Sequence, residues 1–405
     1  MKEITELYKD KLIESYSHTD QRGPSMLYVN IDEKCNENCV FCVVKGKNVG
    51  TFGSMSKEEV KKTIKDFINN NGIDIVFTGG EPTLRKDLPE IIEYAERFIT
   101  LKAISIITNG TNLGNDEYIK RILIADKRRL VTFSISLHSH KEDISEQLTG
   151  VKGTFKKTIA GIENATKYNF KITIYHVITS NNYKDLFDFV KFLNQNYPKI
   201  KLITFAYPFP QGNAINNGWI YVKFSLLKPY FIKTLKYLEK ENYSINIASC
   251  GQFPLCVIPG FEETVIKSLH WGEQNISGVV GEKSFHEYEM MSPEWVDHFK
   301  NKSQKCEKCI LDKYCQGFFE KYISLFKFNG LKTITKDNFT GITVISPLCS
   351  DNHFQDIISS IYTKKMNLII IDKLKALYLE RLFKHIISNK ILAVIISKNN
   401  VIYPR

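Results

Sequence analysis

The sequence predicts an α/β protein built on a parallel sheet. Three observations carry this. Short apolar, β-branched runs recur along the chain, amphipathic helical stretches separate them, and the polar and glycine-rich motifs fall where the apolar runs end. MLYVNI (26–31) reads as the first strand. SKEEVKKTIKDFINN (56–70) reads as a helix, with Ser56 as N-cap and Glu59 three residues on, the pattern of a capping box. GIDIVFT (72–78) is a buried strand, DLPEIIEYAERFIT (87–100) a helix, KAISIIT (102–108) a strand and NDEYIKRILIAD (115–126) a helix. RLVTFSISL (129–137), FKITIYHVI (170–178) and IKLITFAY (200–207) are the next strands. Between and after them come the helices TFKKTIAGIENATKY (154–168), YKDLFDFVKFLNQN (183–196) and SLLKPYFIKTLKYLEKEN (225–242). Pro229 sits in the first turn of the last, where its missing N–H does no harm. Six strand–helix units of this kind imply a parallel sheet with its active site at the C-terminal ends of the strands. After residue 242 no further alternation is expected.

A chain of 405 residues, 43% hydrophobic and 24% charged, can hold two or three domains with a sizeable core. Charged residues break up MKEITELYKDKL, so no signal peptide is read there. No stretch reaches the roughly 18 uninterrupted apolar residues of a membrane-spanning helix. A soluble, cytoplasmic protein with no membrane partner is expected. The net charge of +11 favours acidic partners, but the lysines are spread along the chain and no arginine-rich tract or nucleic-acid signature accompanies them. Nucleic acid is therefore not an expected partner. Nine cysteines in a reducing compartment point to metal ligation rather than disulfides.

CNENCVFC places Cys35, Cys39 and Cys42 in the loop after the first strand, three thiols without a fourth. A closed zinc site wants four protein ligands. A [4Fe–4S] cluster held by three leaves one iron open for a small molecule. GGEP (79–82) follows the second strand, TNG (108–110) ends the third and SLHSH (136–140) ends the fourth. Taken singly, the cysteines could be a partial zinc knuckle and GGEP an ordinary turn. Polar residues at strand ends are often only turn formers.

Together these motifs resemble the radical S-adenosylmethionine (SAM) enzymes, whose signature C-x3-C-x-aromatic-C is matched by Cys35, Cys39, Phe41 and Cys42. The resemblance covers residues 25–215 and implies a partial (β/α)6 TIM-like barrel. It implies that a [4Fe–4S] cluster on the three cysteines binds SAM through its methionine amino and carboxylate groups. One-electron reduction there releases a 5′-deoxyadenosyl radical that abstracts a substrate hydrogen. By the same resemblance Gly79, Gly80, Glu81 and Pro82 receive the SAM amino group, Glu81 accepting from the ammonium. Asn109, Ser136 and His138 stand where members contact SAM or substrate. SLHSH-x8-TG-x2-GTF resembles a fourth-strand pattern of peptide-modifying members, and YPFPQGNA (207–214) a loop that closes SAM sites. The glycine-rich fifth-strand signature of the family is absent from ITIYHVITSNN.

A second cysteine set follows. CEKCILDKYC (Cys306, Cys309, Cys315) has the C-x2-C-x5-C spacing of SPASM and twitch auxiliary domains. The SPASM pattern is incomplete, with Phe319 where a cysteine belongs, so one auxiliary [4Fe–4S] cluster is expected rather than two. Its fourth ligand is Cys256 or Cys349, with Cys256 favoured because it stands at the entry to this region. Zinc is the alternative occupant of such a set. Cys250 is a spare ligand, a hydrogen-atom donor or a buried thiol.

The expected organisation is a helical segment 1–24, a radical SAM core 25–215, a cysteine-rich auxiliary domain 216–350 and a tail 351–405. The tail reads as strand–helix–strand. The expected activity is that of a radical SAM enzyme modifying a ribosomally made peptide. The alternatives are a radical SAM enzyme of small-molecule or cofactor biosynthesis and a non-catalytic zinc or iron–sulfur protein. Expected partners are a peptide or small-molecule substrate and an electron donor such as flavodoxin or ferredoxin. The N-terminal segment is expected to be too short for a leader-binding domain, so a separate recognition protein is a further expected partner.

Overall fold

The structure, a computed structural model, describes residues 26–45, 53–248, 251–259, 261, 264, 276–280, 283–284, 300–309, 312, 315–333, 341–345, 367–371, 393–397 and 401–402. These fall in two compact units. One is made of residues between 22 and 303 and of 314–332, the other of 304–313 and residues from 333 on. The proposed helix before residue 25, the tail helix, Cys250 and Cys349 lie outside the described residues.

In the larger unit the elements run β1 (Met26–Asp32), α1 (Lys57–Asn69), β2 (Asp74–Gly79), α2 (Leu88–Ala95), β3 (Ala103–Thr108) and α3 (Asp116–Ala125). There follow β4 (Val131–Ser136), α4 (Glu142–Thr149), α5 (Thr154–Lys167), β5 (Lys171–Val177), α6 (Leu186–Asn196), β6 (Leu202–Ala206), α7 (Phe224–Lys240) and β7 (Ser244–Ile247). Strands β8 (Ile276–Val280) and β9 (Lys283–Ser284) complete a nine-stranded sheet of order β7-β6-β5-β4-β3-β2-β1-β8-β9. Its neighbours are parallel throughout, except the β8–β9 pair. The sheet is open, with β7 and β9 at its two edges. Parallel pairing past residue 242 was not legible in the sequence. β7 is only four residues long, and β8 pairs with β1, far back along the chain.

Alternation along the strands explains the layering. On β3 and β4 the residues Ile104, Ile106, Val131, Phe133 and Ile135 are buried, while Ala103, Ser105, Thr132, Ser134 and Ser136 between them are only half-buried. The apolar set lies in register, Ile106 beside Phe133 and Ile135 beside Ile174. It forms the core layer with buried helix residues such as Ile119, Ile122, Ile162 and Leu193. Each such side chain contributes about 1.5–3 kcal/mol on burial. The smaller, more polar set, with Ile107 among it, points to the other side of the sheet.

Helix α1 starts at the capping box expected for it: Ser56 Oγ accepts from the Glu59 N–H at 3.2 Å, and Glu59 Oε2 from the Ser56 N–H at 2.5 Å. Helix α2 stops at Ala95 rather than near residue 100. The Arg128 guanidinium collects the carbonyls of Phe98 and Leu101, both at 2.8 Å, and those of Glu96 and Ile99, which replaces the next helical turn. Helix α4 was not anticipated. It is a short extra helix in the fourth crossover and ends at Gly150, whose φ of 70° is the left-handed C-terminal stop.

In the smaller unit, a turn at Gln304–Lys308 carries Cys306, and the Cys309 N–H bonds the Cys306 carbonyl at 2.8 Å. A separate four-stranded sheet joins Gly341–Ile345, Asn367–Ile371, Ala393–Ser397 and Val401–Ile402. Its last pair is antiparallel and the others parallel. The two strands expected in the tail, MNLIIID and ILAVIIS, are its second and third.

Candidate active site

Cys35, Cys39 and Cys42 lie on the loop that leaves the C-terminal end of β1, all three half-buried. Burial raises all three thiols, Cys35 to about 11 and Cys39 furthest, with the neighbouring Glu37, Cys42 and Cys35 adding to the rise at Cys39. The sulfurs therefore share one pocket. A thiol held this far from ionising is inert unless something positive takes it as thiolate. Hydrogen bonds prepare the sulfurs for negative charge. The Glu37 N–H donates to Cys35 Sγ at 3.4 Å, and the Val44 and Lys45 N–H groups donate to Cys42 Sγ. The donor set thus suits a cluster that carries iron charge into the pocket. Among the described residues no three Cys, His, Asp or Glu side chains meet at the spacing of a single ion. A cubane places each cysteine on a different iron, so its thiolates stand wider apart than those of one zinc.

Four neighbouring loops hold this loop, three of them through its backbone and one through the Asn36 side chain. The first is GGEP. The Gly80 N–H donates to the Asp32 carbonyl at 2.6 Å, and the Glu81 N–H to that of Lys34 at 2.7 Å. A Cβ on Gly80 would stand 2.2 Å from the Lys34 oxygen, and Gly79 has a φ of 131°. Only glycine allows the two backbones this close. Pro82 is buried and opens a short turn. Arg85 secures the same end of the sheet: paired with Asp87 at 2.7 Å, it donates to the carbonyls of Ile31 and Met55.

The second is the loop after β3. Glu81 is 1% exposed, and its carboxylate spans from β2 to this loop. Oε1 accepts from the Thr83 N–H at 2.9 Å, the Thr83 hydroxyl at 2.5 Å and the Thr108 hydroxyl at 2.6 Å, while Oε2 accepts from the Asn109 N–H at 2.6 Å. Burial raises its pKa against the pull of these donors. Asn109 is buried too. Its side-chain amide donates to Asn36 Oδ1 at 2.8 Å, between Cys35 and Cys39, and its Oδ1 accepts from Thr111.

The third follows β4. His138 is 2% exposed; its Nδ1 accepts from the Val177 N–H at 3.1 Å, and its ring meets that of Phe41 edge-on at 4.5 Å between centroids. It is a peg beneath the cysteine loop, held neutral by burial. Ser136 is half-buried at the end of β4, on the side of the sheet away from Phe133 and Ile135. At the end of α4 the carbonyls of Thr149 and Leu148 accept from the N–H groups of Asn38 and Val40 at 2.9 and 3.0 Å. This gives the TG-x2-GTF pattern a physical role: a Cβ on Gly150 would meet the Asn38 oxygen at 2.6 Å.

The fourth is QGNA after β6. The Asn213 N–H donates to the Cys42 carbonyl at 2.8 Å, its side-chain amide to the Cys39 carbonyl at 2.9 Å, and the Asn217 amide to that of Val40 at 2.8 Å. Sequence reasoning singled out this stretch but not these two asparagines. It also passed over Asn36, Glu37 and Lys45, because polar residues inside a cysteine loop carry no spacing signal of their own. Glu37 is 5% exposed, accepts from the Cys39 thiol at 3.3 Å and is pushed by burial to about 7.

Of the second cysteine set, Cys315 and Cys256 belong to the larger unit, where the Leu255 and Gly317 N–H groups donate to the Cys315 sulfur and burial raises its thiol. Cys306 and Cys309 belong to the smaller unit. Among the described residues no helix is long and apolar enough to cross a membrane.

Comparison with known proteins agrees with this geometry. The Radical SAM superfamily model matches residues 29–193. A probable GTP 3′,8-cyclase of Sulfolobus acidocaldarius is 33% identical over 179 residues, 44% of this chain and 55% of that protein. An Fe-coproporphyrin III synthase of Methanosarcina barkeri is 32% identical over 160 residues, 39% of this chain and 38% of that protein. The chain thus spans about half or less of the length of these curated relatives. Among solved structures, Streptococcus suis SuiB bound to precursor peptide SuiA superposes with a TM-score of 0.54 at 16% identity, covering 81% of this chain and 78% of that one. The fold is shared at that distance. From the three-cysteine loop, its four supporting loops and the family match, residues 29–193 form a radical SAM superfamily domain.

Proposed function

We propose that the chain is a radical SAM enzyme acting on a small molecule, in the manner of cofactor biosynthesis. The observation that carries the chemistry is the three-thiol loop at the strand ends, clamped from four sides, on three of them through its backbone. Cys35, Cys39 and Cys42 are the ligands of a [4Fe–4S] cluster, which when loaded with SAM supplies one-electron reductive cleavage of the sulfonium. The residues of this chain do the rest. Gly79 and Gly80 leave room for a ligand's amino group beside the backbone. Glu81 Oε1 accepts from three donors, which share its two lone pairs, and Oε2 from one, so one lone pair on Oε2 remains for an ammonium donor. Phe41, packed on His138, keeps the cysteine loop rigid and screens it from water. Ser136 and the other half-buried polar residues on its side of the sheet offer the substrate a polar lining, and Asn109 holds the loop after β3.

The names of the curated relatives matched in the core support the small-molecule reading: one is a probable GTP 3′,8-cyclase and the other an Fe-coproporphyrin III synthase. Modification of a ribosomally made peptide is the second reading. It is favoured by the C-x2-C-x5-C spacing of Cys306, Cys309 and Cys315, which with Cys256 or Cys349 would hold one auxiliary [4Fe–4S] cluster. A flavodoxin or ferredoxin would supply the electron in either case, and a separate leader-recognition protein would serve the peptide case.

The test is anaerobic reconstitution with iron and sulfide, reduction, and addition of SAM. Wild type should bind about four irons more than a variant with Cys35, Cys39 and Cys42 all changed to Ala, with 5′-deoxyadenosine formed only by wild type. Zinc in place of iron and no 5′-deoxyadenosine would refute the reading. Adding nucleotides, tetrapyrroles or short-peptide fractions in turn then separates the two substrate classes by which of them stimulates 5′-deoxyadenosine release.

A further inference from the structure

The polar groups around the cysteine pocket carry opposite charges in unequal number. Two carboxyl groups face it, those of Glu37 and Glu81, both buried. Against them stands the ammonium of Lys45, three residues past Cys42. Its Nζ donates to the Glu37 carbonyl and, at 3.4 Å, to the Cys35 carbonyl, so the side chain folds back over the loop it follows. The Lys45 backbone N–H donates to Cys42 Sγ, which fixes the start of the side chain against the third sulfur. The Lys45 carbonyl is walled in by Gly212, where a Cβ would stand 2.6 Å away. A cation is thus held on two backbone carbonyls between the first and last cysteine, at a place its flexible stem would not otherwise keep.

We propose that Lys45 is a positioning residue whose fixed charge sets the reduction potential of the cluster on Cys35, Cys39 and Cys42. The inference rests on the cluster reading above. Reduction by one external electron, with no proton taken up, adds one negative charge to a pocket that already holds thiolates and two carboxyl groups. A fixed cation at hydrogen-bonding range of the loop favours the more negative state, and the partly dry surroundings screen it little. Charge and hydrogen bonds around a cluster are the levers by which a protein moves its potential. Removing the charge while keeping a donor for the two carbonyls should leave the cluster in place and make it harder to reduce.

The experiment compares full-length wild type, Lys45→Gln and Lys45→Arg, each reconstituted anaerobically. Each is titrated with dithionite or titanium(III) citrate while the reduced-cluster signal is followed by electron paramagnetic resonance. The signal of the variant lacking Cys35, Cys39 and Cys42 is subtracted. Lys45→Gln should keep the iron content of wild type, with its reduction equilibrium at least tenfold less favourable, about 59 mV more negative for a one-electron couple. Lys45→Arg should stay near wild type. A wild-type potential in Lys45→Gln would overturn the proposal. So would loss of the triad iron from Lys45→Gln, which would make the lysine a strut of the loop rather than its charge. Wild type with no triad-dependent iron would instead refute the cluster reading, and the inference with it; the iron count tells that case apart.

Discussion

Changing Glu81 to Gln tests whether this carboxylate anchors the site. It accepts four hydrogen bonds, from two backbone N–H groups and two hydroxyls, and is 1% exposed. A Gln side chain must put an NH2 where one oxygen was. Placed at Oε2 it faces the Asn109 N–H, donor against donor. Placed at Oε1 it faces the Thr83 N–H and two hydroxyls, and the Thr108 hydroxyl already accepts from the Gly110 N–H at 2.9 Å. Either way at least one buried backbone donor loses its partner, which costs about 1–3 kcal/mol, and the remaining bonds lose their charge assistance. Relief of the buried charge offsets part of this. The expected loss is about 2–3 kcal/mol, a fall of about 3–5 °C in Tm at this unit's size. Calorimetry on wild type and variant at pH 7.5 measures it, and exchange of the Asn109 amide hydrogen reports the local bond. A variant with unchanged Tm and an equally protected Asn109 amide would refute the argument that Glu81 ties the loop after β2 to the loop after β3.

Two further expectations concern the frame of the site. Gly212→Ala places a Cβ 2.4 Å from the Cys42 carbonyl at a φ of 59°, so reconstituted iron should fall toward the level of the three-cysteine variant; full iron uptake would contradict the clamp. Gly53→Ala is the control, with positive φ but nothing within 4 Å of the added methyl group, and should keep its iron. His176 is fully buried beneath Phe189, its Nδ1 on the Leu137 carbonyl and its Nε2 without a partner among the described residues, and burial lowers its pKa to about 3. The unfolded chain binds that proton from about pH 6.5 downward, so between those values stability is lost as the pH falls. Urea unfolding of wild type and His176→Phe at pH 7 and pH 5 should show their difference shifting by about 2 kcal/mol in the variant's favour at the lower pH. A difference independent of pH would show that His176 titrates normally.

Apart from the short helix α4, the order of the strands and helices up to β6 is legible in the sequence, because each element's apolar period is local. Ser56 and Glu59 cap α1 as their spacing requires, and β3 and β4 alternate as Ile104 to Phe133 suggest. The cysteine triad and GGEP are legible for the same reason: Cys35, Cys39 and Cys42 lie within one loop, and Gly79 to Pro82 within one turn. What the sequence could not show depends on distant segments meeting. β8 becomes a strand by pairing with β1, a partner about 250 residues earlier whose edge no local pattern announces. Helix α2 ends early because Arg128, on the next crossover, takes its carbonyls. Glu81 and Asn109 carry the sequence mark of ligand contacts, yet the tertiary structure uses most of their hydrogen-bonding capacity to tie loops together. Asn213, Asn217 and Lys45 acquire their roles only where the loop after β6 and the end of the cysteine loop fold back onto carbonyls of residues 35–42. Residue type and spacing determine which chemistry this chain can hold. Long-range packing decides which groups stay free to perform it, because a buried donor or acceptor must find its partner wherever the fold supplies one.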